Sequence, residues 1–200
     1  MALSTHARVT LVRHAASITR AVSRVEAEVG MSADGGLRLR YRVEGTLERV
    51  SVPARQQCSR REDLWRHTCF EAFLAARESP AYCEFNFSPS TEWAAWGFAS
   101  YRNGRSELAC PAAPQIQVER SPNHLQLEAE IDCMILSGLP GRGPLALGLS
   151  AVIEELDGRL GYWALAHPAL QPDFHDPEGF VLDVPRPAEF SVAGRRVSKR

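Results

Sequence analysis

Two stretches of this chain concentrate side chains that could bind or react. The first is Asp63-Leu-Trp-Arg-His-Thr-Cys-Phe-Glu71, where Trp65, Arg66 and His67 lead into a run carrying a glutamate. The second, Tyr162 to Phe180, holds Trp163, His167, Asp173, His175, Asp176 and Glu178. Prolines at 168, 172 and 177 fix backbone angles there, so the polar side chains of that loop are pre-positioned. An indole at a strand end beside polar residues suits a sugar. The C–H face of a pyranose packs on the ring, and neighbouring carboxylates or amides bond the hydroxyls.

Other chemistries are weighed on the same residues. His167, Asp173 and His175 are metal-ligand types, but His-x5-Asp-x-His matches no compact ligand spacing, so they read as hydrogen bonds stitching the loop. Asp176 and Glu178 with carbonyl oxygens form a Ca2+ alternative. Haem would need an axial pair facing across a pocket, and Met134 with His124 or His175 is the available set. No Cys-x-x-Cys-His occurs, which excludes covalent haem. Glycoside hydrolysis needs two carboxyl groups roughly 5–9.5 Å apart, and Glu71 with Glu84 is the candidate pair. Dinucleotide, Walker, nucleophile-elbow and His-Glu-x-x-His signatures are absent.

The elements that must position these residues are strands. In Leu37–Glu44, Leu37, Leu39, Tyr41 and Val43 alternate with Arg38, Arg40, Arg42 and Glu44. Leu125–Ile131 and Arg24–Val29 repeat the pattern, which is that of antiparallel sheet with one wet face. Thr68–Ala75, Tyr82–Ser88, Ala94–Tyr101, Leu145–Ile153 and Leu160–Ala166 are more apolar and read as central strands. Turn signals such as Glu78-Ser-Pro80, Ser121-Pro-Asn123 and Asp157-Gly158 separate them, the last as a tight hairpin. A helical turn is expected only within Ile131–Leu139. About ten strands in such a chain predict an all-β, two-sheet antiparallel sandwich, with a closed barrel the lesser alternative.

One register follows directly. If 68–75 and 82–88 form a hairpin, their apolar faces must coincide, because a one-residue slip would bury the charges. Glu71, Glu84 and Asn86 then share a face with Phe73. Such a trio is either a ligand platform or an ordinary wet face. Trp93 and Trp96 are expected in the core; Trp65 and Trp163 are the candidate stacking residues.

Trp65-Arg-His-Thr-Cys-Phe-Glu-Ala-Phe-Leu74, Tyr82-Cys-Glu-Phe-Asn-Phe-Ser-Pro-Ser90 and the closing Asp173-Phe-His-Asp-Pro-Glu-Gly-Phe180 occur in an order that resembles the DOMON-like superfamily. Within it, the chain looks similar to bacterial proteins of the carbohydrate-binding module family 9 type. The resemblance spans about residues 60–184 and implies an immunoglobulin-like β-sandwich. Members bind sugars between aromatic side chains, or haem through an axial pair. Carried over, Trp65 and Trp163 would stack on a ligand, with Glu71, Glu84, Asn86 and His175 as polar partners.

Composition bounds the class. The 200 residues carry 23 Lys+Arg and 24 Asp+Glu, so the net charge of −1 argues against a nucleic-acid or anionic-membrane partner. No apolar run is long enough for a membrane span. The five cysteines are odd in number with no Cys-x-x-Cys, as expected of reduced, mostly buried thiols in a cytoplasmic protein. The expected organisation is one sandwich domain over residues 1–190 and a basic tail over 191–200. The expected function is a non-catalytic module, without a cofactor, for a carbohydrate or related small polar ligand. Its expected site comprises Trp65, Arg66, His67, Glu71, Glu84, Asn86, Trp163, His167, Asp173 and His175. A structural or interaction protein without a small-molecule site is the alternative, its protein partner unspecified.

Overall fold

The computed structural model describes residues 6–141 and 143–186. The basic tail expected over 191–200 lies outside them. Twelve strands follow one another, interrupted by one short helix: β1 (His6–Arg13), β2 (Val22–Met31), β3 (Leu37–Gly45), β4 (Cys69–Ala76), β5 (Tyr82–Phe87), β6 (Trp93–Phe98), β7 (Ser106–Glu107), β8 (Gln115–Arg120), β9 (His124–Ile131), α1 (Cys133–Gly138), β10 (Leu145–Glu154), β11 (Leu160–Ala164) and β12 (Leu182–Val184). Their order is β7-β6-β5-β4-β10-β11-β1-β2-β3-β9-β8, with β12 also on β10, and every pairing of named strands is antiparallel. The sheet curls back so that its two halves face each other as layers.

The first layer, β1-β2-β3-β9-β8, has the expected wet and dry faces. Val25, Ala27 and Val29 of β2, Leu37 to Val43 of β3 and Leu125 to Ile131 of β9 send alternate apolar side chains into the core. The opposite face is laced by ions: Arg40 holds Glu28 at 2.9 Å and Glu128 at 2.7 Å, and Arg8 joins the same Glu28. The centre of the second layer is buried on both sides. All eight residues of β4 and all six of β5 are buried. Phe70, Ala72, Leu74, Cys83, Phe85 and Phe87 face the inter-sheet core, while Glu71, Phe73, Glu84 and Asn86 face away from it. β1 joins the layers: His6 to Leu11 pair with β2, and Val12 and Arg13 pair with β11.

A buried hydroxyl crosses the core. Tyr41 on β3 donates through its OH to the backbone oxygen of Glu71 on β4 at 2.6 Å, its ring 5.0 Å from that of Phe70. Tyr41→Phe is expected to lower stability by about 1 kcal/mol, read as a lower urea midpoint with unchanged slope.

Several strand boundaries differ from expectation. β6 ends at Phe98, because Arg102 and Gly104 turn the chain at φ 50° and 66°. The β10–β11 hairpin has a three-residue loop, closed by Glu155 N–H donating to Arg159 O at 2.8 Å with Gly158 at φ 82°. β1 and β8 were not read as strands, and β7 and β12 are two and three residues long. Apolar alternation breaks within β1 at Leu11-Val12, where the strand changes layer: Leu11 is buried and Val12 exposed. The five cysteines are free thiols, but only Cys69 and Cys83 are buried, not most of them as expected. Among the described residues no helix is long and apolar enough to cross a membrane.

Candidate functional site

The register inferred for β4 and β5 is present. Glu71 lies opposite Asn86, and Phe73 opposite Glu84. Glu71, Glu84 and Asn86 floor a cleft of about 640 Å3 on the outer face of the second layer. Ala94, Trp96 and Phe98 from β6, Val152 from β10 and Tyr162 from β11 extend its walls. A 3-10 turn, Leu64–Arg66, brings Trp65 to one side, and the loop after β11 brings Gln171, Pro172, Phe174 and His175 over the other. That loop is seated at its far end by Phe180. Its ring stacks on Phe73 with centroids 5.6 Å apart and lies where a Cβ on Gly148 would be, 2.5 Å from Phe180 Cδ1. Only glycine fits at position 148.

The floor is polar and sparsely partnered. Glu71, 3% exposed, accepts from Ser150 Oγ at 3.0 Å. Glu84, 7% exposed, accepts from Asn86 Nδ2 at 2.7 Å, and Asn86 Oδ1 faces Cys69 Sγ at 3.6 Å. Burial, and then the neighbouring Glu84 charge, push the Glu71 carboxyl up to about 8. Burial raises Glu84 as well. His175 Nε2 approaches Glu84 Oε2 only to 3.9 Å, while its Nδ1 meets the Tyr82 hydroxyl at 2.7 Å. The ring sits edge-on to Phe73 and Phe98, and burial followed by the Arg102 charge lowers its pKa to about 4, so the imidazole is neutral.

The rim carries the cations. Arg102 pairs with Asp173 at 2.7 Å, Arg105 lies over the Trp96 ring at 3.7 Å, and Arg66 lies 5.0 Å from the Trp65 ring centroid. Non-glycine residues in the left-handed backbone region include Asp63 and Arg102, both on the cleft. Such conformations concentrate where a site must be shaped.

Of the ten expected residues, five line the cleft: Trp65, Glu71, Glu84, Asn86 and His175. Trp163 does not. It is 5% exposed and packs in the inter-sheet core, because its neighbour Tyr162 takes the cleft side of β11. Arg66 and His67 also stand outside the lining; His67 is exposed beyond the end of β4 and pairs with Glu154 at 2.9 Å. His167 and Asp173 act as loop stitching. His167 Nε2 meets Val12 O at 2.8 Å, and Asp173 accepts from Arg102 and from His175 N–H. Asp176 caps the 3-10 turn Pro177–Gly179 by accepting from Glu178 N–H at 3.0 Å. Met134 is exposed on α1, away from the cleft that holds His175, so the suggested haem pair is not brought together. Among the described residues no three His, Cys, Asp or Glu side chains are grouped to hold a metal.

Trp96 was expected in the core and lines the cleft instead; Trp93 is in the core. A signal for this was available. The two are three residues apart on one strand, so they point to opposite faces. Arg102, Arg105, Gln171 and Phe174 lie in turns and loops, where no periodicity marks them.

No protein-family model matches this chain, and no curated protein matches it. Among solved structures, a Bacteroides uniformis protein provisionally described as carbohydrate-binding aligns with a TM-score of 0.65 over 87% of this chain and 83% of that one, at 14% identity. The fold is shared. A family 9 carbohydrate-binding module from Caldicellulosiruptor kristjanssonii, in complex with cellotriose, aligns at TM-score 0.45 and 13% identity over 77% of this chain and 70% of the other. A second, with glucose, aligns at 0.40 and 14% over 77% and 73%. The DOMON-like and family 9 resemblances rest on the sequence motifs.

Proposed function

We propose that the chain is a non-catalytic carbohydrate-binding module whose ligand lies in the cleft above Glu71, Glu84 and Asn86. The observation that carries this reading is the pairing of aromatic walls with a buried polar floor in one cavity: exposed Trp65 and half-buried Tyr162 line it together with Glu71, Glu84 and Asn86. Apolar rings accept sugar C–H faces, and the floor groups accept hydroxyl hydrogen bonds. The carbohydrate-binding description of the Bacteroides uniformis protein supports the same reading.

Titration with mono- and oligosaccharides, followed by tryptophan fluorescence, tests it. Trp65 is 47% exposed, so Trp65→Ala removes a ring from the cleft without opening the core. Affinity is expected to fall about tenfold or more, equivalent to roughly 1.4 kcal/mol, with the melting temperature nearly unchanged. An unchanged affinity would remove the stacking model. The carboxyl pair is also what a glycoside hydrolase uses, so the same samples are assayed for new reducing ends. None are expected, and release that depends on Glu71 would reassign the cleft as an active site.

A further inference from the structure

The charges around the cleft pair off at its mouth and leave a remainder on its floor. Arg66 has Asp63 at 3.3 Å, Arg102 has Asp173 at 2.7 Å, and Arg105 has Glu62 at 3.6 Å. His175 is neutral and 3.9 Å from Glu84, its Nδ1 already engaged by Tyr82. Glu71 and Glu84 are therefore left without a charged group in ion-pair contact, Arg102 and Arg105 reaching them only through space. Their bonded donors, Ser150 Oγ and Asn86 Nδ2, are neutral. Both carboxyls are more than nine-tenths buried, and both face the open volume.

Buried carboxylates are stable when neutralised by a proton or paired with a cation. A sugar hydroxyl donates a hydrogen bond but neutralises nothing. A ligand ammonium does both, and charge-assisted hydrogen bonds are roughly twice as strong as neutral ones. We infer that the cleft is selective for an amino sugar, whose ammonium group sits between Glu71 and Glu84 while the ring lies against Trp65. The inference rests on the carbohydrate reading of the cleft and names the substrate class within it. The rim arginines act on the floor only through space, Arg102 on Glu71 and Glu84 and Arg105 on Glu84, and each is in ion-pair contact with a carboxylate of its own.

The test compares three β-1,4 trimers that differ only at C2: cellotriose (hydroxyl), the chitosan trimer (ammonium) and triacetylchitotriose (acetamide). They are titrated at one ionic strength and one pH below 7, where the amines are protonated and an ammonium must displace the proton that Glu71 otherwise holds, with tryptophan fluorescence as the readout. The chitosan trimer is expected to bind about tenfold tighter than cellotriose, with the acetylated trimer no better than cellotriose. In Glu71→Gln, and independently in Glu84→Gln, the ratio of chitosan-trimer to cellotriose affinity should collapse to within about twofold, whichever way cellotriose affinity itself moves. Two variants are used so that a folding failure in one does not leave the question open. Equal or tighter binding of cellotriose overturns ammonium selection and leaves the carbohydrate reading standing. A preference that survives both substitutions assigns it to general surface charge and also overturns it. No response to any trimer, or to the wider saccharide panel, overturns both.

Discussion

Trp163→Ala is expected to destabilise the protein by about 3–5 kcal/mol and to leave saccharide affinity unchanged in whatever fraction remains folded. Trp163 lies opposite Ala151 of β10 on one side and Arg13 of β1 on the other, with its ring in the inter-sheet core. Truncation removes a large apolar side chain at the point where three strands meet, and the residual cavity adds to the lost transfer energy. Its indole N–H has no hydrogen-bond partner, so nothing polar is lost with it. Trp163→Phe, which keeps most of the packing and removes that orphan donor, is therefore expected to cost much less than the alanine variant. Chemical denaturation of the three proteins gives the ordering. A Trp163→Ala protein that kept its stability and lost its ligand would return this residue to the cleft. The contrast with Trp65→Ala separates two indoles that look alike in the sequence.

The second large effect is a pH dependence set by Glu71. Its ordinary value is 4.5, and burial with the Glu84 charge beside it raises this to about 8. Between those values the unfolded chain has released a proton that the folded protein still holds. Stability therefore falls as pH rises, by about 1.4 kcal/mol per unit. Below 4.5 both states hold the proton and the stabilising contribution is complete; above about 8 it is gone. Glu71→Gln cannot ionise and still accepts from Ser150. The variant should match the parent near pH 5 and melt higher than it at pH 9, by roughly 5 °C or more. His175 works in the opposite sense, because its lowered pKa removes stability as pH falls from 6.5 to about 4. It is present in both proteins and cancels in the difference. A gap between variant and parent that stays constant from pH 5 to 9 would show that Glu71 ionises normally in the folded state.

The floor of the cleft was readable before the fold, and its walls were not. Glu71, Glu84 and Asn86 could be placed together because two hydrophobic faces had to coincide, and the period of two then dictates where every other side chain points. The same rule divides Trp93 from Trp96. It cannot decide between Tyr162 and Trp163: adjacent strand residues face opposite ways, but both layers flanking β11 accept an aromatic ring. Loop residues are harder still. Arg102 reaches the rim because β6 stops at Phe98 and the chain turns through left-handed conformations, and neither event has a hydrophobic period. Asp173 and His167 were expected in the site and, on their spacing, as loop stitching; they bond to Arg102 and to Val12 O, partners 71 and 155 residues away that no local pattern identifies.

The placement of β10 bears on how the chain is made. This strand lies between β4 and β11, yet it begins at residue 145, after nine other strands have been synthesised. Until it emerges from the ribosome, β4–β7 and the β1-β2-β3-β9-β8 layer are two separate half-sheets, and β4 has a bare edge beside its apolar residues. Exposed edges of that kind recruit other chains. The β10–β11 hairpin is the clasp that closes the edge, joins the halves and supplies Ser150 to Glu71 in one step. Joining the half-sheets and completing the floor of the cleft are thus one event, which waits for β10.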